Sequence, residues 1–162
     1  MAVRFSIDIQ GKAEFDRAFN RVSSEIKDFT AVWEKVSDWL KRRTKRQFDS
    51  QGGDAKWQAL SIGYAKWKQI EYPNKPILQR TGRMIDSLTE ATADSVNRAS
   101  KTSLEFGTSV PYAKYHQAGA GDLPQRKIFD LNEKDRKSLT GVIQRELVTI
   151  VRAQGFETFE FD

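Results

Sequence analysis

Val3, Phe5, Ile7 and Ile9 alternate with Arg4, Ser6, Asp8 and Gln10. A period of two is the pattern of a strand with one buried face, and Gly11 ends it. From Phe15 the period changes. Phe15, Phe19, Val22, Ile26, Phe29, Trp33, Val36 and Leu40 follow at steps of four and three, which keeps them on one side of a helix. No Gly or Pro occurs between Gly11 and Gly52. The pattern predicts one long helix over 12–49, or two helices broken near Asp28–Thr30. Heptad spacing is also the mark of a coiled-coil seam. Val32 and Trp39 widen the apolar face, which favours a stripe turned toward a globular core. Trp33 is expected in that core and Trp39 at its edge.

Gln51-Gly52-Gly53-Asp54 stops the helix. Residues 50–80 read as loop, with Pro73 and Pro76 and a short helix around Ile62–Gln69. Thr81 can N-cap a further short helix through Leu88. Residues 89–97 and 102–108 read as strands of a hairpin turning over Asn97–Lys101. Tyr112–Gln117 reads as one helical turn, Gly119–Asp122 as a flexible connector and Lys127–Leu131 as short and extended. Asn132 caps a second clear helix to about Ala153, on which Leu139, Val142, Ile143, Leu147, Ile150 and Val151 recur at helical spacing. Gly155 ends it. These elements predict an α+β fold: a small, mostly antiparallel sheet packed against a long N-terminal helix and a C-terminal helix. They form one domain over 1–155, followed by an acidic, aromatic tail at 156–162.

Length and charge sharpen this picture. A chain of 162 residues buries enough surface to fold without a metal or disulfide staple. It holds no cysteine, which removes disulfides and thiolate metal sites and fits a reducing cytoplasm. The start, MAVRFSIDIQ, lacks the apolar core of a signal peptide, and no apolar run approaches the ~20 residues of a membrane span. Residues 1–83 carry 17 Lys and Arg against 10 Asp and Glu, while residues 84–162 carry 10 against 12. That asymmetry points to an acidic partner, either DNA or another subunit.

Candidate chemistry is sparse. His116 is the one histidine. Metal binding needs several ligands, and no Gly-x-Ser-x-Gly elbow supports a nucleophile, so His116 is expected to hold a turn together. Gly52-Gly53 and Gly119/Gly121 do not fit phosphate-loop or dinucleotide spacing. Glu133 and Asp135 sit in the first turn of a helix, where negative charge is stabilising without catalysis. No enzyme activity, cofactor or metal is expected.

Three features remain. Lys41, Arg42, Arg43, Lys45 and Arg46 cluster in the last turns of the long helix, opposite the apolar stripe. They read as a solvated helix end, a DNA-facing surface or a contact to an acidic subunit. No motif of sequence-specific recognition accompanies them. Trp57 and Trp67 lie in polar loop sequence, where they either pin the loop or anchor a subunit interface. Phe156, Phe159 and Phe161 interleave with Glu157, Glu160 and Asp162. That tail reads as a strand closing the sheet or as a segment docking on a neighbouring copy.

Several blocks, taken in order, resemble the phage virion-morphogenesis family, the tail-completion proteins of Mu-like and P2-like phages. Phe48, Gly52, Gly53, Trp57 and Leu60 match a helix-ending Phe, a Gly-rich loop and Trp-x-x-Leu. Ile77, Leu78, Thr81, Gly82, Met84 and Ser87 match the next block. Gly107, Thr108, Tyr112, Ala113, His116, Gln117 and Gly119 match Gly-Thr and Tyr-Ala-x-x-His-Gln-x-Gly. Pro124, Arg126, Ile128 and Phe129 match Pro-x-Arg before a short apolar strand, with Gln125 and Lys127 where the family has Ala and Pro.

The resemblance implies a structural protein of tail completion and head–tail joining at the virion neck, made in the host cytoplasm. It implies a tail-terminator-like fold in a homo-oligomeric ring, expected to be a hexamer. Expected partners are neck or connector and tail-tube proteins, with non-specific contact to packaged DNA and no membrane. Under this implication Lys41, Arg42, Lys45 and Arg46 face the DNA passage or a partner. The competing expectation is a sequence-independent DNA-binding protein using the same helix end.

Overall fold

The computed structural model describes residues 3–5, as backbone, and 28–153. Its elements in chain order are β1 (Val3–Phe5), α1 (Thr30–Asp49), α2 (Ile62–Glu71), α3 (Arg83–Thr89), β2 (Ser95–Ala99), β3 (Leu104–Thr108), α4 (Ala113–Ala118) and α5 (Glu133–Ala153). The strands form one sheet in the order β1-β3-β2. β1 runs antiparallel to β3, with Val3 opposite Thr108 and Phe5 opposite Phe106. The α+β class expected from the periodicities is the class observed.

Residues 28 and 29 are not helical and α1 starts at Thr30, so a single unbroken helix over 12–49 is not formed. Asp28 Oδ1 accepts hydrogen bonds from the backbone N–H of Thr30 at 2.9 Å and from its hydroxyl at 2.6 Å. This is side-chain capping of an exposed helix start. The expected strand residues 6–9, the helix over 12–27 with Phe15, Phe19, Val22 and Ile26, and the tail 156–162 lie outside the described residues.

The chain clusters into two compact units interleaved in sequence, although one domain is expected over 1–155. Of the described residues, the first comprises 3–5, 40–96 and 106–130, and the second comprises 28–39, 97–105 and 131–153. In the second unit Phe29, Val32, Val36, Trp39, Leu139, Ile143 and Leu147 are buried. Trp39 Nε1 donates to the Ser138 hydroxyl at 3.1 Å. Trp39 therefore belongs to the core rather than its edge. Trp33, expected mid-stripe, is only half-buried. Phe29, Val36 and Leu40 of the expected stripe are buried, as are Val32 and Trp39 that widen it, so among the described residues Trp33 is the stripe member that departs. Asn132 caps α5 as expected, its Oδ1 accepting from the Asp135 N–H at 2.8 Å.

In the first unit the core is Leu40, Phe48, Trp57, Met84, Leu88, Val96, Phe106, Val110, Ala113, Ile128 and Phe129. α1 ends at Asp49, and the chain reverses through Gln51, Gly52 and Gly53, all at positive φ. A Cβ on Gly52 would lie 2.5 Å from the Ala55 carbonyl oxygen and 2.6 Å from the Trp57 nitrogen. Only glycine fits that turn. The turn delivers Trp57 edge-on to Phe48, with ring centroids 5.3 Å apart. The first hairpin strand begins and ends later than expected, the second begins later and ends at Thr108 as expected, and the turn falls at Ser100–Ser103, where the Ser100 N–H donates to the Ser103 carbonyl at 2.8 Å.

Residues 127–131, expected as a short strand, form an irregular strap. Its buried backbone groups must still be paired. Side chains pair them. Gln47 Nε2 and Trp57 Nε1 donate to the Lys127 carbonyl at 3.2 and 3.0 Å. Arg43 Nη2 donates to the Asp130 carbonyl. Gln117 accepts from the Ile128 and Phe129 N–H groups at 2.8 and 3.0 Å and donates back to the Phe129 carbonyl at 2.8 Å.

Candidate functional site

The first unit holds a cleft of about 730 Å³ whose walls collect three sequence blocks. Residues 58–62, Tyr64 and Lys68 form one wall, residues 78–84 a second, and Tyr112, His116 and residues 122–124 with Arg126 a third. Thr81, Gly82, Tyr112, His116, Pro124 and Arg126 are thus brought together, although they are scattered over 46 positions of sequence. Gln117 is the remaining member of that set, and it bonds the strap 127–131 described above.

Local turns set the walls. Gly82, at φ +87, starts α3. Thr81 does not occupy the cap position itself; its hydroxyl accepts from the Arg83 N–H at 3.4 Å. Ser87 on α3 shares a buried hydroxyl pair with Thr108 at 2.7 Å, which ties α3 to β3. Arg83 meets Asp94 through two bonds, at 2.6 and 2.9 Å. That pairing holds the Asp94 carboxyl below the usual carboxylate range. Leu78 sits at φ +62, a left-handed conformation that costs a branched residue on the order of 1–3 kcal/mol. Gly119, at φ +74, closes α4, its N–H bonding the Tyr115 carbonyl at 2.8 Å. Residues 119–122, expected to be flexible, make a tight turn closed by the Ala120–Leu123 bridge.

Two buried cations hold the cleft's inner face. Arg126 is 4% exposed and donates to the carbonyls of Gln58 at 3.0 Å and Ala59 at 3.2 Å. Lys68, also 4% exposed, donates to the Pro76 carbonyl. Burial lowers the affinity of both for their protons, and at Lys68 the neighbouring Arg80 adds to the effect. Burial, then the charge of Arg126, likewise holds the His116 imidazole below its ordinary value. His116 Nδ1 is buried without a hydrogen-bond partner. Its ring lies edge-on to Tyr112, with centroids 6.2 Å apart, and its carbonyl accepts from the Arg126 N–H at 2.7 Å. Gln125 donates to the Gln117 carbonyl at 3.0 Å. These contacts bind loops to one another; they do not align a base with a nucleophile. Among the described residues no group of three His, Asp or Glu side chains is placed to hold a metal. No helix among them is long and apolar enough to cross a membrane.

The other candidates separate. Trp57 is buried and pins its loop, so it offers no surface to a subunit. Trp67 is 41% exposed on α2 and stays available for one. In the basic cluster, Arg42, Lys45 and Arg46 are exposed and Lys41 is half-buried. Lys45 pairs with Asp49 at 3.3 Å. Arg43 departs from the expected solvent-facing set: it is buried, because it serves the strap backbone at Asp130. Phe156, Phe159 and Phe161 lie outside the described residues.

The buried Lys68, the neighbouring Arg80 and the exposed Ile62, Tyr64 and Ile70 carried no signal in the sequence. A lysine in an amphipathic stretch reads as solvated, and only the fold turns Lys68 inward.

A model of the phage virion morphogenesis family matches residues 11–148. No curated protein and no solved structure matches the chain.

Proposed function

Because the chain belongs to the phage virion morphogenesis family, and so has a structural role in virion assembly, we propose that it completes the tail and joins it to the head at the neck. In this proposal it is a ring subunit around the DNA passage and acts by contact, without catalysis. The match over 11–148 carries the proposal. The geometry of the motif residues supports it. Thr81, Gln117 and Arg126 spend side-chain polar atoms on neighbouring backbone, as residues of a scaffold do. A ring is reached by a heterologous interface that closes on itself. A DNA passage favours unspecific contacts to phosphate, and the exposed Arg42 and Arg46, with Lys41 and Lys45, are the side chains proposed to face it.

The test is a phage in which this reading frame is interrupted. DNA-filled heads and free tails should accumulate unjoined, and added purified protein should restore joining. Imaging of the finished particle should place rings of this chain at the neck. Joined, infectious particles formed without the protein would overturn the proposal.

A further inference from the structure

α2 spans ten residues, of which Lys68 alone is buried. Ile62 is 78% and Ile70 77% exposed, and Tyr64 and Trp67 are 41% exposed. The rings are nevertheless ordered against one another. Tyr64 meets Trp67 with centroids 5.3 Å apart, Trp67 meets Tyr72 at 5.7 Å, and the Arg80 guanidinium stands 5.7 Å over the Tyr72 ring. Single exposed apolar residues are ordinary, whereas a continuous patch with Trp and Tyr marks an interaction surface.

The charge around this face defines what fits it. Residues 56–83 hold six cations, Lys56, Lys66, Lys68, Lys75, Arg80 and Arg83, against the one acid Glu71. Arg83 is committed to Asp94, and Lys66, Lys75 and Arg80 are exposed. The occupant should therefore be rich in large apolar groups and in carboxylates. Residues 156–162 have that composition: Phe156, Phe159 and Phe161 beside Glu157, Glu160 and Asp162, with no cation.

We propose that the α2 face of one copy receives the segment Phe156–Asp162 of a neighbouring copy. The phenyl rings cover Ile62, Ile70 and the open side of Trp67, and the carboxylates meet Lys66, Lys75 and Arg80. Two different surfaces meet, so the contact is head-to-tail and passes from copy to copy. It deepens the ring proposal by naming its joint, yet the residues that carry it do not depend on a position at the neck.

Two full-length variants test it. Ile62→Ser/Ile70→Ser damages the face at exposed positions, and Phe159→Ser/Phe161→Ser damages the segment. By sedimentation the unaltered chain should associate, and each variant alone should associate about 30-fold or more weakly, the scale of a hot-spot loss. Mixed one to one, the variants should form dimers and stop there, because one intact segment meets one intact face. Unchanged melting temperatures should accompany both. A mixture that stays monomeric, a segment variant that assembles normally, or an unaltered chain monomeric at every concentration overturns the contact. A segment variant that melts lower while assembling normally places the segment on its own chain and also overturns it. Open chains of copies in place of closed rings, with dimers still forming in the mixture, would remove the ring and leave the contact standing.

Discussion

α1 and α2 are both helices with aromatic and basic residues, and they use them oppositely. α1 buries Val32, Val36, Trp39, Leu40 and Phe48, and even turns Arg43, Thr44 and Gln47 inward. Its outward side carries Arg42, Lys45 and Arg46. α2 reverses the arrangement: a lysine faces in, and isoleucines and aromatic rings face out. Apolar content is similar in kind, so it does not decide burial. What decides it is whether the rest of the chain offers a partner. For α1 the strap 127–130 and the core do. For α2 the chain offers the Pro76 carbonyl to Lys68 and leaves the apolar side exposed.

The sharpest way to break this comparison is to truncate one residue on each helix. Phe48 is fully buried and packs edge-on against Trp57. Phe48→Ala should cost about 3–5 kcal/mol, by lost burial and a residual cavity. Ile70→Ser should change stability by less than about 0.5 kcal/mol, as substitutions at exposed sites do. Denaturant midpoints measure both. Comparable losses would mean that α2 packs against its own chain after all.

A smaller effect should come from beneath α2. Arg126→Met keeps the stem and removes the two bonds to the Gln58 and Ala59 carbonyls. Removing charged hydrogen bonds at a buried site should cost roughly 1.5–3 kcal/mol. Because those bonds hold the loop leading into α2, limited proteolysis should begin to cut near 58–61. A stable variant with unchanged cleavage would show that Lys68 alone seats the helix.

Much of this was legible in the sequence. The α1 and α5 periodicities, the α1 start near Asp28, the cap at Asn132 and the loop helices all followed from spacing and turn chemistry. The family blocks were legible as an ordered series, and nine of their residues, Leu60, Leu78, Thr81, Gly82, Met84, Tyr112, His116, Pro124 and Arg126, meet in one cleft. What was not legible depended on tertiary partners. Spacing alone put Trp33 in the core and Trp39 at its edge, while the tertiary neighbours left Trp33 half-buried and buried Trp39. Arg43 read as one of a run of solvent-facing cations until the strap carbonyl at Asp130 claimed it. Residues 127–131 looked like a strand because apolar residues cluster there. Side chains from Gln47, Trp57 and Gln117 satisfy the backbone instead, and no local pattern announces that.

The outward side of α1 gives a third contrast, since it is exposed like α2 but charged. Changing Lys41, Arg42, Lys45 and Arg46 together to Gln should move stability by no more than about 0.5 kcal/mol, because exposed pairs such as Lys45–Asp49 contribute little. Weak retention on immobilised duplex DNA should fall, and its salt dependence should flatten as fewer counterions are released. Equal retention before and after would separate these side chains from DNA and leave them to a protein partner or to the helix end.

The smallest effect should come from His116, and it reports how well the inner side of α2 is closed. Burial, and then the charge of Arg126, keeps its imidazole below the ordinary value of about 6.5. Above that pH the ring is neutral in folded and unfolded chains alike, and it contributes no pH dependence. As pH falls below about 6.5 the unfolded chain takes up the proton first, so stability declines, levelling off once the folded ring protonates as well. Asp94 has its folded pKa shifted down from 3.8 by Arg83, so its contribution is lost only in more acidic solution and does not overlap. His116→Phe keeps a ring beside Tyr112 and removes a buried nitrogen that has no partner. Melting curves between about pH 7.5 and 5.5 should therefore fall less steeply for the variant than for the unaltered chain. Parallel curves would mean that His116 titrates as if in water, and that the cleft under α2 is as open as the apolar face above it.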